Sequence, residues 1–217
     1  MKDEPGISPL EVAVSLQDAA WGETLDNLEG LAERSIRVAL SHVNETGSSG
    51  FVGDTGDQGE RGGALEVSLL FADDAAVAAL NQGYRGRSGP TNVLSFPNMD
   101  GNDPPPSEPL PSALPGDPAP RPRLLGDIVL ARQTVLREAA EQDKTPQAHI
   151  MHLLIHGFLH LLGYDHENEA EAEEMEALEI AILADLDVAD PYRRKASDGG
   201  AAAAASLSGP PLTEGRS

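Results

Sequence analysis

Three histidines stand close together in the stretch HGFLHLLGYDH, His156 to His166. His156 and His160 are four residues apart, and His166 follows six residues later. On a helix, positions i and i+4 lie one turn apart on the same face. Two imidazoles so placed suit one zinc ion. Gly163 stands between this pair and His166. A residue without Cβ lets the chain turn sharply there, so His166 can swing back as a third ligand. Three histidine ligands leave the fourth tetrahedral position open, which is the layout of a catalytic zinc. The spacing therefore predicts one Zn2+ on His156, His160 and His166.

His149 and His152 lie on the same helical face but farther from the turn. His152 is about 10 residues before the turn, roughly 15 Å back along the axis. A loop residue just past Gly163 does not reach a metal there, so His152 and His149 read as wall or supporting residues. Asp165 has two readings, orienting a ligand imidazole or stabilising the turn. Tyr164 either caps the pocket or packs. The same histidine spacing occurs in metzincin proteases, which carry a glutamate after the first histidine as general base. Here that position is Gly157. A glycine takes no proton, which counts against a peptidase.

A second candidate is LNQGYRGRSGPTNVLSFP, Leu80 to Pro97. Arg85 and Arg87 sit between glycines, and a guanidinium fork suits a pair of phosphate oxygens. A plain Gly/Arg connection before a strand explains the same residues.

These groups need elements to position them. Leu10–Leu16 and Leu65–Phe71 alternate apolar and polar residues and predict strands. Asn92–Phe96 and Leu124–Leu130 read as further strands, the second with a bulge at Gly126. A helical pattern starts at Thr24 and carries Leu25, Leu28, Leu31, Ile36 and Leu40. Asp73 or Asp74 caps a short helix bearing Val77 and Leu80. Ala131–Gln142 reads as helix. The histidine helix has Thr145 as N-cap, Pro146 at its first position and Gly163 as its stop. A last helix places Met175, Leu178, Ile182 and Leu186 on one stripe. The order predicts an α+β fold, a small mixed sheet of about four strands covered by helices, with the metal site at the C-terminal end of a central helix.

The expected organisation is one domain over residues 1–194. Gly-rich and Pro-rich inserts at about 44–63 and 98–123 interrupt it, and residues 195–217 form a disordered tail. The chain of 217 residues has no cysteine and a net charge of -21. The first fact excludes disulfides and thiolate metal sites and fits a reducing compartment. The second disfavours an indiscriminate nucleic-acid binder. From Asp165 to Asp190 there is no Lys or Arg, while Arg85, Arg87, Arg121, Arg123, Arg132 and Arg137 lie mid-chain. No apolar run approaches a membrane span and the start lacks signal-peptide features, so the expectation is a soluble cytoplasmic protein with no membrane partner.

HGFLHLLGYDH, LNQGYRGRSGPTNVLSFP and LLGDIVL, in this order, resemble the YbeY family of bacterial zinc-containing endoribonucleases. Ala172–Leu183 is similar to that family's C-terminal helix. The resemblance covers most of Leu65–Tyr192 apart from the Pro-rich insert. It implies His156, His160 and His166 as zinc ligands and Arg85 as the important basic residue beside the metal. It implies single-stranded ribosomal RNA as substrate, in maturation of the small-subunit 3′ end and in ribosome quality control, with the small subunit or its proteins as partners and no DNA. Ser88 and Gly89 stand where relatives commonly carry an acid and a base. Two rival functions fit the residues: a zinc metallopeptidase-like hydrolase, and a non-catalytic ribosome-assembly factor with a structural zinc. None of these motifs marks a general base.

Overall fold

Strand alternation sorts the apolar side chains onto the two faces of one sheet. The computed structural model describes residues 10–46, 64–98, 123–166 and 168–193. Strands β1 (Leu10–Leu16), β2 (Leu65–Ala72), β3 (Val93–Pro97) and β4 (Arg123–Ala131) run side by side in the order β1, β2, β4, β3. β1 and β4 are parallel to β2, and β3 is antiparallel to β4. The sheet is therefore mixed, as expected for an α+β fold. The register slips between Glu66 and Val67 opposite Leu124 and Gly126, which leaves Leu125 as the extra residue of a bulge.

Val67, Leu69, Phe71, Ile128 and Leu130 point to one face and join the main core. Their neighbours Ala72, Val129 and Ala131 point to the other, where Leu94 and Val77 meet them. The first face is covered by α2 (Leu28–Thr46), α5 (Pro146–Leu161) and α6 (Glu169–Asp185). The second is covered by α3 (Asp74–Arg85). The remaining helices are α1 (Trp21–Thr24) and α4 (Arg132–Glu141).

α5 is the central helix. Thr145 caps it by accepting from the Ala148 N–H, and Pro146 opens it. Ile150, Leu154, Ile155, Phe158 and Leu159 are fully buried. Each contributes about 1.5–3 kcal/mol by burial before conformational entropy is counted. That burial fixes the helix rotation, and hence which way its histidines face. Among the described residues, no helix is long and apolar enough to cross a membrane.

One expectation needs correction. The helical pattern does not start at Thr24: that residue ends α1, Leu25 is extended, and α2 begins at Leu28. Trp21, buried with its indole N–H on the Ala72 carbonyl, anchors this separate turn. The glycine/arginine stretch begins inside a helix. Asp73 caps α3 through the Ala76 N–H, and the helix runs to Arg85, stopping at Gly86 in the left-handed region. α2 extends to Thr46 and Arg123 opens β4, at the edges of the two inserts read at about 44–63 and 98–123. Their remainder and the 195–217 tail lie outside the described residues.

Candidate metal centre

The end of α5 builds the site. Gly163 has φ of 90°, a left-handed conformation that other residues adopt at a cost. Its N–H donates to the His160 carbonyl, and the Tyr164 N–H donates to Leu159. This reversal does two things. It turns the Tyr164 carbonyl back onto His160, and it carries His166 over the helix end.

One nitrogen from each of His156, His160 and His166 lies within 4.8 Å of the others. The His166 ring centroid is 5.1 Å from that of His160 and 5.7 Å from that of His156. His156 and His160 are partly buried, while His166 is exposed. Sequence spacing predicted this trio, and the fold brings it together.

The hydrogen bonds of the two helical histidines define their tautomers. His160 Nδ1 lies 2.9 Å from the Tyr164 carbonyl oxygen. A carbonyl only accepts, so Nδ1 carries the proton. His156 Nδ1 lies 2.8 Å from Glu179 Oε1. Burial alone would raise the Glu179 pKa, but hydrogen bonds from His152 and His156, and from Tyr192, bring it down to about 2. That acceptor is an ionised carboxylate, so His156 Nδ1 is also a donor. Both Nε2 atoms then present lone pairs, 3.2 Å apart. Two facing lone pairs repel unless they share a cation. Zn–N bonds of about 2.0–2.1 Å place tetrahedral ligands about 3.3 Å apart. The donor set therefore fits a metal ion. Burial first, and the neighbouring His156 second, hold the His160 pKa below the usual histidine range. Its ring is thus neutral, as a ligand must be.

Glu179 was not singled out in the sequence. It lies on α6 with its side chain 1% exposed. The signal was there to read: an acid at the level of the apolar stripe formed by Met175, Leu178 and Ile182, all buried. A buried carboxylate calls for donors.

The other candidates fall on different sides of α5. Arg85, the last residue of α3, is exposed and lines a cleft of about 500 Å³ together with Arg123, Ser95, His160, Tyr164 and His166. Arg87 is exposed beyond the helix cap. Asp165 Oδ1 accepts from the His166 N–H at 2.8 Å, the contact of a turn stabiliser. Tyr164 contributes its carbonyl, and its side chain packs at the edge of the core. His152 donates to Glu179 at 2.9 Å. His149 is buried beside Glu138, 3.1 Å away, and burial is the main cause that lowers its pKa.

Gly157 faces the sheet rather than the histidines. A Cβ there would stand 3.0 Å from Ile128 Cγ2 and 3.0 Å from Ser95 Oγ. A glutamate in its place has no route to the metal centre without forcing α5 off the sheet.

Comparison with known proteins identifies the family. Residues 45–187 match the family model described as Endoribonuclease YbeY. A protein of that name from Rhodospirillum rubrum is 44% identical over 184 residues, covering 85% of this chain and 82% of the relative. One from Paramagnetospirillum magneticum is 42% identical, covering 84% of this chain and 96% of its own length. One from Magnetococcus marinus reaches 57% identity over 129 residues, 59% of this chain and 83% of the relative.

Proposed function

The chain belongs to the YbeY family of endoribonucleases, and on that premise we propose that it cleaves single-stranded ribosomal RNA with one Zn2+ carried by His156, His160 and His166. The observation that carries the metal reading is the pair of converging Nε2 lone pairs, each enforced by an acceptor on the opposite ring nitrogen. When bound, Zn2+ supplies charge stabilisation to a phosphoryl group and lowers the pKa of coordinated water.

The chain's own residues do the rest. The carboxylate of Glu179 and the carbonyl of Tyr164 hold the Nδ1 protons of two imidazoles and so aim their Nε2 atoms. Arg85 opens into the same cleft as His160 and His166. Its guanidinium binds a phosphodiester and offsets charge that grows on the phosphate in the transition state. Arg123 adds a second positive charge to that cleft. In a chain of net charge -21 this local patch gives a polyanion a place to dock. The substrate we favour is the 3′ end region of small-subunit ribosomal RNA, met on the small subunit in the cytoplasm. Gly157 packs against β3 and β4, which counts against a glutamate-dependent peptidase.

The test is Arg85→Ala in a cleavage assay with metal content measured alongside. Loss of a group that stabilises transition-state charge costs about 10²–10³ in kcat. The expected result is a loss of that order with the metal retained. Unchanged cleavage removes Arg85 from the mechanism.

A further inference from the structure

We infer that Glu179, His152 and Tyr192 form a support that fixes the His156 ring, so that the segment after α6 sets the metal affinity of the site. This rests on the three-histidine reading above and extends it to residues that touch no metal.

The support is built around a buried charge. Glu179 is 1% exposed, and a carboxylate so placed persists only with its oxygens hydrogen-bonded. Oε1 takes the proton of His156 Nδ1. Oε2 takes two donors, His152 Nε2 at 2.9 Å and the Tyr192 hydroxyl. The two donors on Oε2 pin the carboxylate plane, and the plane decides where Oε1 points. Oε1 in turn decides which nitrogen of His156 carries the proton. The pair is packed as well as bonded: the His152 and Tyr192 rings meet edge to face at 5.6 Å.

His152 gives up something for this contact. Its Nδ1 is buried with no hydrogen-bond partner. A histidine whose role is only to fill space has no need of that arrangement, whereas one that must donate from Nε2 to Glu179 has. Tyr192 is also placed with care. Its N–H donates to Asp190 Oδ1 at 2.8 Å, which turns the chain after α6 and brings the hydroxyl inward. His152 and Tyr192 face a second cleft of about 970 Å³, lined also by Lys144 and Val188, with Glu179 between them and the metal centre. Tyr192 lies beyond residue 187, where the family match ends. The support therefore reaches from α5, through α6, to the segment that follows it.

The experiment is Co2+ titration against a competing chelator, with the visible Co2+ spectrum recorded, for wild type, Glu179→Gln, Tyr192→Phe and His160→Ala. Measurements are made well below each variant's melting temperature. Glu179→Gln removes the charge and sets an amide against three donors. Partners of metal-bound histidines typically change affinity by about 10–100-fold, and a loss in that range is expected. Tyr192→Phe is expected to lose affinity in the same direction but by less, with an altered spectrum. A residue that only stabilised the fold would lower melting and leave both readouts unmoved. Folded Glu179→Gln with wild-type affinity and spectrum overturns the inference. If that variant does not fold, wild-type behaviour of Tyr192→Phe does so. Wild type that binds no Co2+, or His160→Ala that binds it fully, overturns the three-histidine reading and this inference together.

Discussion

At the scale of single residues, the account is one of proton placement. Acceptors at the Nδ1 atoms of His156 and His160 leave their Nε2 atoms to converge. His149, on the same helix, shows the opposite outcome. It is buried, with Glu138 from α4 beside it, His152 on its own helix and Lys144 in the preceding turn. Burial outweighs the glutamate and lowers its pKa from 6.5. The unfolded chain then binds this proton more tightly than the folded one, so stability rises with pH through that window. His149 contributes its full stability above pH 6.5 and loses it as the pH falls through the folded pKa. Urea unfolding between pH 7.5 and 5 checks this. Wild type is expected to lose stability faster than His149→Gln, by up to about 1.4 kcal/mol per pH unit. Parallel curves for the two proteins would contradict it. The histidine trio was legible because helical spacing is written in the sequence. Glu179 was not picked out, because its partners lie 23 and 27 positions away and only the packing of α6 on α5 joins them.

At the scale of elements, α5 is set by what it packs on. The close approach of its Gly157 to β3 and β4 leaves no space for a side chain. Gly157→Glu drives a carboxylate against Ile128 and Ser95 of the sheet. Overpacking and a buried charge together cost about 3 kcal/mol or more, so the variant is expected to melt far below wild type and to gain no peptidase activity. Wild-type stability in thermal unfolding would show that residue 157 does not face the sheet. Alternation located β1 and β2, the stretches Asn92–Phe96 and Leu124–Leu130 were legible as β3 and β4, and the caps Asp73 and Thr145 located two helix starts. The run from Leu25 to Leu40 misled because its apolar spacing passes through a break that only the burial of Trp21 explains. The sequence did not mark where α3 ends. Gly83 and Gly86 look alike in sequence, but one lies inside the helix and the other ends it.

At the scale of the whole molecule, the fold gathers three separate chain regions at one end of α5: the end of α3 with Arg85, the start of β4 with Arg123, and the turn after Gly163. Their convergence sets two arginines in one cleft with the histidines of a strongly acidic chain. Total charge could not reveal this, because charge counts carry no positions. The histidine trio and the two arginines therefore lie on different elements, one set on α5 and its turn, the other at the end of α3 and the start of β4. The most direct test of the central claim is metal analysis of the purified protein alongside cleavage of a ribosomal RNA precursor, for wild type and His160→Ala. The account predicts one zinc per chain and cleavage by wild type, with both lost in the variant. A His160→Ala protein that keeps its zinc, or that cuts the precursor at the wild-type rate, would contradict it.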